Sequence, residues 1–205
     1  MMGMWGLLLA VGPEKGRRVS TPLDEFAEAR ALPVHFLKEH GVRLCPSDGE
    51  KPGWIGLPYW NLTGTWYSRY RNPDPEGQPK YWGRPGSGVH LYNPLRLGPN
   101  ADKIVFTEGE IDCLTLVYLG FPAIGIPGTG NTERFRGAWK LLFDGAWIVV
   151  AMDGDQAGRA ASSKLLDAFE PNATVLDVPD GMDLNDWLLN DPEALIGAVR
   201  ASLNT

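Results

Sequence analysis

Ala146-Trp-Ile-Val-Val-Ala-Met-Asp-Gly-Asp-Gln-Ala-Gly-Arg159 passes from an unbroken apolar run, through a D-x-D turn, into a segment that can begin a helix. A short, continuous apolar run rich in β-branched residues reads as a strand buried on both faces. Lys103-Ile-Val-Phe-Thr-Glu-Gly-Glu-Ile-Asp112 repeats the form upstream: a strand, then acids, then a helical stretch over 110–119. Further strands are expected at 123–126 and 173–178, with helical stretches over 132–143 and 156–169 and short helices from Leu184 and Pro192. Strands alternating with amphipathic helices predict an α/β fold: a parallel sheet flanked by helices on both faces.

In such sheets ligands gather beyond the carboxyl ends of the strands. Glu108, Glu110 and Asp112 fall there after the first strand, and Asp153 and Asp155 after the third. Crowded carboxylates repel one another, and a hard divalent cation, Mg²⁺ or Mn²⁺, relieves that repulsion. Any one of these acids can instead serve as a cap on its helix, since carboxylates favour helix N-termini. Two acidic groups on different strands favour the metal.

The first hundred residues have a different grain. Residues 24–40 read as two short helices interrupted at Pro33 and stopped by Gly41. From Trp54 to Trp82, aromatic and β-branched residues split by Gly and Pro predict strands and hairpins, with a turn at 61–64 and a polar loop at 72–78. A small α+β N-terminal subdomain (1–100) is therefore expected before the parallel sheet (101–205). The two parts differ in charge. Residues 1–100 carry 12 Lys/Arg against 9 Asp/Glu, and residues 101–205 carry 7 against 16, within an overall net charge of −6. A basic front and an acidic back suit a protein that grips a polyanion with one part and metal with the other. Arg69, Arg71 and Lys80 are the candidate phosphate contacts, and Tyr67, Tyr70, Tyr81 or Trp82 can stack on bases. Trp54, Trp60 and Trp66 are expected to fill the core of the small subdomain.

Composition excludes several classes. A hydrophobic content of 43% with 21% charged residues is that of an ordinary globular protein. Cys45 and Cys113 form no C-x-x-C pair, and His35, His40 and His90 lack metal-ligand spacing, so free thiols and no zinc ribbon are expected. The apolar residues 1–12 are too short to span a bilayer and lack a preceding basic residue, so they read as a tail; no membrane partner is expected.

A Glu at the end of one strand and D-x-D at the end of a later one resemble the signature of the TOPRIM domain. Thr107-Glu-Gly-Glu-Ile-Asp112 and Asp153-Gly-Asp-Gln-Ala-Gly-Arg159 are similar to the versions in bacterial primases and phage primase-helicases. The turn Pro127-Gly-Thr-Gly-Asn131 and the stretch Val178-Pro-Asp-Gly-Met-Asp-Leu-Asn-Asp186 look like the family's intervening and final elements, so the resemblance covers roughly residues 102–190. The front half resembles the basic segment that precedes TOPRIM in primases, through Pro79-Lys-Tyr81 and Leu91-Tyr92. It departs at Val89-His90, where the family usually has a basic residue before Leu-Tyr. TOPRIM topoisomerases need a longer chain, recombination mediators a four-Cys zinc site, and the small ribosomal-RNA maturases an almost immediate TOPRIM strand.

The resemblance implies a DNA primase core that joins ribonucleoside triphosphates on a single-stranded DNA template. Asp153 and Asp155 would be the principal metal ligands, and Glu108 either a ligand or the general base. Asp112, Asp183 and Asn185 would complete the acidic rim. Lys80, Arg69, Arg71, Gly128, Thr129 and Asn185 would handle nucleotide or template. Without a zinc ribbon or helicase motif in the chain, a replicative helicase or a separate zinc-binding initiation factor is the expected partner. A phage or mobile-element protein working in a bacterial cytoplasm fits this picture. The alternatives are a non-catalytic primase-like subunit that binds DNA or a helicase, and a TOPRIM nuclease.

Overall fold

The computed structural model describes residues 19–60, 66–97, 101–136 and 138–204. The apolar tail at 1–12 and the turn expected at 61–64 lie outside the described residues, as does the side chain of Trp66.

The chain begins with α1 (Pro22–Ala29) and α2 (Val34–Glu39). Thr21 caps α1 in a capping box with Asp24, and Pro22 opens its first turn. Pro33 ends one helical pattern and starts the next, as the sequence predicts. An antiparallel sheet follows, in the order β1 (Arg43–Leu44), β2 (Ile55–Trp60), β3 (Trp66–Arg71), β4 (Tyr81–Gly83). The β2–β3 pairing runs from Ile55↔Arg71 to Trp60↔Trp66. Since side chains alternate along a strand, Tyr67, Arg69 and Arg71 share one face of β3 and Ser68 and Tyr70 the other.

The second sheet is wholly parallel, in the order β6 (Ala123–Ile126), β5 (Lys103–Glu108), β7 (Trp147–Ala151), β8 (Ala173–Val175). Helix α3 (Glu110–Tyr118) links β5 to β6, and α5 (Gln156–Phe169) links β7 to β8. The connection expected as one helix over 132–143 is instead a 3-10 segment, Thr129–Arg136, and a short α4, Ala138–Leu141. Gly128 and Gly130 ahead of it weaken regular helix nucleation. Helices α6 (Leu184–Asn190) and α7 (Pro192–Leu203) close the chain.

Both faces of the parallel sheet are covered. Ile104, Phe106, Ile124, Ile148 and Val150 pack with Leu165 and Phe169 of α5. On the other face Val105, Ala123, Val149 and Ala151 join a cluster with Leu114 and Leu116 of α3 and Leu195 and Val199 of α7. The same cluster takes in Phe26, Leu37, Leu57 and Tyr59 from the front of the chain. Tyr92 adds a second tie, exchanging two backbone hydrogen bonds with Gly125 at the outer side of β6 (2.8 and 3.1 Å).

Two of the tryptophans depart from expectation. Trp60 is 41% exposed and Trp54 only half-buried. Residues 55–59 of β2 are all buried, and Trp60 stands at the end where the strand emerges.

Candidate functional site

With β5 as first strand, β6 on one side of it and β7 on the other, the chain reverses direction across the sheet between β5 and β7. This is the switch point at which open α/β sheets place ligands. Glu108 ends β5 and Asp153 follows β7, so the two carboxylates sit at the mouth of that crevice. Gly109 turns the chain there at φ 91°, a left-handed conformation that a side chain would strain, and so frees Glu108 from the helix it precedes.

A cavity of about 250 Å³ opens at this point. Glu108, Asp112, Asp153 and Asp183 line it from the parallel-sheet part and Arg69, Arg71, Lys80 and Tyr81 from the antiparallel sheet, while Arg30 lies near Asp112 and Glu110 pairs with Arg69. The structure thus gathers residues more than a hundred positions apart in sequence into an acidic floor and a largely basic wall.

The acids are in electrostatic conflict. Burial, then the neighbouring Glu108, Asp183 and Asp155, push the Asp153 carboxyl from 3.8 up to about 7, with Lys80 opposing. Burial and Asp155 raise Glu108, against backbone hydrogen bonds from Thr129 and Asp153 and the charge of Lys80. Asp112, wholly inside, is raised well above the carboxylate range by burial and by Asp183 and Asp153, with the Asn185 amide and Arg30 acting the other way. Protons and cations are interchangeable remedies for such crowding.

The D-x-D turn is built by close packing. Any Cβ on Gly154 would collide with the Pro179 carbonyl oxygen. That room lets Gly154 donate to the Met182 carbonyl (2.9 Å) while its own carbonyl accepts from Gly181 (2.9 Å). The 179–183 loop is thereby laid against the turn, and Asp183 arrives beside Asp153.

Not every predicted residue points at the cavity. Asp155 is exposed and caps α5 through Gly158 N–H at 2.7 Å; Asp183 lines the cavity and also caps α6 through Asp186 N–H at 2.6 Å. Asn185, expected at the acidic rim and on the nucleotide side, is completely buried behind Asp112. Its side chain binds the Arg30 carbonyl and the Thr115 hydroxyl (both 3.0 Å), and its backbone N–H donates to Asp112 at 3.1 Å. It ties α1, α3 and α6 together and supports the rim through Asp112. Thr129 supports Glu108 through its backbone.

On the basic side Lys80 is exposed, whereas Arg71 is buried and donates to the Tyr81 hydroxyl at 2.7 Å. Arg69 lies over the Tyr81 ring at 4.3 Å and pairs with Glu110 at 2.8 Å. Two guanidinium groups thus lie against the Tyr81 ring, and Tyr70 is buried against Trp82; only part of the expected stacking surface is accessible. Arg30 was not singled out from the sequence, and Glu110 only as one of the acids after the first strand. Arg30 is the C-cap of α1 with no local motif around it, and Glu110 reads as an ordinary first-turn acid.

The donor set suits a hard divalent cation: all oxygens, negatively charged and mutually repelling. Among the described residues no three acidic, His or Cys side chains form a finished cage. Mg²⁺ in nucleotide enzymes commonly takes one or two carboxylates, with water and substrate phosphate completing its shell, so the arrangement fits that mode.

Comparison with known proteins agrees with this geometry. A Toprim-like family model matches residues 105–188. The Gene 57 protein of Mycobacterium phage D29 is 33% identical over 139 residues, covering 65% of this chain and 88% of that protein. A DNA primase of Pseudomonas putida is 29% identical over 143 residues; the match covers 60% of this chain but only 19% of the primase. The primase fragment of the bacteriophage T7 primase-helicase superposes with a TM-score of 0.68 at 25% identity, covering 83% of this chain and 71% of that one. A DnaG primase catalytic domain bound to single-stranded DNA shares the fold, with a TM-score of 0.66 at 17% identity over 88% of this chain and 74% of that one. The acidic switch point, the basic sheet facing it and these likenesses together place the chain in the TOPRIM primase family, as a form of its core.

Proposed function

We propose that this chain is a primase core that makes short RNA primers on single-stranded DNA by metal-dependent nucleotidyl transfer. The observation that carries the reading is the single cavity with carboxylates on its floor and Lys80, Arg69 and Arg71 on its wall. A nucleoside triphosphate needs both kinds of surface at once, and a template strand needs the basic one. In this reading residues 1–100 handle template and nucleotide, and residues 101–205 hold the metal.

Asp153 would hold Mg²⁺ or Mn²⁺, with Asp155, Asp112 and Asp183 adding negative charge around it and Glu108 kept for the proton. Once bound, such a cation neutralises triphosphate charge and makes a sugar hydroxyl easier to deprotonate. The protein's own part is orientation. Lys80 and Arg69 draw phosphate oxygens to the wall, and the fixed floor keeps the α-phosphorus in line with the primer's 3′-oxygen. That oxygen bonds to the α-phosphorus as the bond to pyrophosphate breaks. The hydroxyl proton leaves to a base, a role that Glu108, with its raised carboxyl, is placed to take.

The test is incubation of the purified chain with single-stranded template, labelled ribonucleotides and Mn²⁺. Labelled oligomers that disappear in Asp153→Asn support the proposal. Shortened DNA would make the protein a nuclease, and template binding without either product would make it a binding subunit.

A further inference from the structure

Glu110 is 1% exposed, yet it belongs to the wall of a polar cavity. It stands at the first position of α3, two residues beyond Glu108, and its side chain reaches across to the antiparallel sheet. One carboxylate oxygen, Oε1, accepts from both the Tyr59 hydroxyl on β2 and Arg69 Nη1 on β3, the latter at 2.8 Å. Tyr59 is itself completely buried. The Arg69 guanidinium is held on a second side by the Tyr81 ring at 4.3 Å. An arginine has five N–H donors in a rigid fork, so one nitrogen can be anchored while the rest of the plane stays available to a ligand.

We infer that Glu110 is a positioning residue that fixes Arg69 as a phosphate clamp in the cavity. The inference rests on the primase reading for the identity of the phosphate, which belongs either to a nucleoside triphosphate or to the template strand. Three features support it. Arg69 lines the cavity with Glu108 and Asp153 and keeps 28% of its side chain exposed, so part of it is open to an entering phosphate group. A buried carboxylate that serves only packing is costly and readily replaced by an apolar side chain. Anchoring an arginine before the ligand arrives removes rotamer entropy that would otherwise be lost on binding. Lys80, exposed on the same wall, has no such tether among the described residues and contributes charge without fixed direction.

The test measures equilibrium binding by the full chain of two probes, Mn²⁺–ATP and a single-stranded oligodeoxynucleotide. Glu110→Gln keeps the shape and loses the charge that orients Arg69. It should weaken one of the probes about 5- to 10-fold, and that probe identifies which phosphate the clamp takes. Arg69→Ala should weaken the same probe at least as much, and the double variant no more than Arg69→Ala alone, because Glu110 acts only through Arg69. A purely structural Glu110 would add its own loss in the double variant. Should Glu110→Gln fail to fold, Arg69→Lys decides: lysine keeps the ion pair with Glu110 but lacks the fork, so its affinity should fall 5- to 10-fold while its unfolding midpoint stays near wild type. Wild-type affinity for both probes in folded Glu110→Gln or in Arg69→Lys overturns the inference. If the wild-type chain binds neither probe, the primase reading itself fails, which is a different result.

Discussion

Replacing Arg69 by alanine should destabilise the protein far more than a surface arginine normally does. Glu110, at 1% exposure, would keep only the Tyr59 hydroxyl as a partner. Removing one member of a fully buried ion pair costs about 3–5 kcal/mol, because the other charge is left unsolvated. Arg69 is 28% exposed, so water entering the space it vacates recovers part of that cost. Its stacking on Tyr81 is lost as well, worth about 0.5–1 kcal/mol. The expected net loss is about 3 kcal/mol. With a urea m-value near ~2 kcal/mol/M for a chain of this size, the unfolding midpoint should fall by about 1.5 M. Glu110→Gln should cost less, about 1–2 kcal/mol, since it leaves a neutral amide and a partly hydrated guanidinium. The Arg69→Ala/Glu110→Gln double variant should then be more stable than the two single losses predict, by about 1–2 kcal/mol. Urea unfolding followed by tryptophan fluorescence measures all three. A midpoint shift below about 0.3 M in Arg69→Ala, or strict additivity in the double variant, would show that Glu110 is solvated and that the pair does not bind the two sheets together.

Asp153→Asn should stabilise the metal-free protein, because the folded state raises this carboxyl from 3.8 to about 7. A raised carboxyl contributes stability below pH 4 that is lost as the pH climbs through 7, so the advantage of the variant should grow from pH 5 to pH 8 in EDTA. The full shift would correspond to ~4 kcal/mol, and partial exposure and shared charge reduce this to about 1–2 kcal/mol; equal midpoints at pH 8 would contradict it. In calorimetry the same variant should bind Mn²⁺ at least about tenfold more weakly, by the loss of one charged ligand. Gly154→Ala should push the 179–183 loop off the D-x-D turn, costing about 2–3 kcal/mol and weakening Mn²⁺ binding with no ligand removed; wild-type affinity there would mean that Asp183 plays no part at the site. Lys80→Ala should reduce the salt dependence of oligonucleotide binding by about one counterion, read from anisotropy across a salt series. An unchanged slope would place the strand elsewhere.

The parallel sheet was legible because its strands are buried on both faces and so carry no competing pattern: 104–106, 123–126 and 146–151 read as short apolar runs. The acids stand out at the ends of such runs, but the sequence does not separate those that cap a helix, as Asp155 does, from those that line the cavity, as Glu108 and Asp153 do. What escaped is whatever depends on the partner rather than on the local pattern. Strands β1 and β4, two and three residues long, exist through their pairing with β2 and β3. Asn185 and Thr129 sit within recognisable motifs, yet where their polar atoms point is decided by α1 and by Glu108. Glu110 shares its spacing with any first-turn acid, and only the approach of β2 and β3 distinguishes it. The exposure of Trp60 follows from its place at the end where β2 emerges, which the size of its side chain does not reveal.

The bond pair between Tyr92 and Gly125 has a consequence for how the molecule meets others of its kind. A parallel sheet ends in edge strands, and an open edge is a template onto which a foreign strand can add. On the β6 side, the outward N–H and C=O of Gly125 are both taken by Tyr92, in the middle of a four-residue strand. On the β8 side the strand is only three residues long and runs at once into an irregular, acidic segment where Arg159 bridges Asp177 and Asp180. Neither edge offers the run of unpaired donors and acceptors that cross-chain strand addition requires. The apolar strands can thus be concentrated at one switch point while the folded chain keeps little tendency to polymerise through its own sheet.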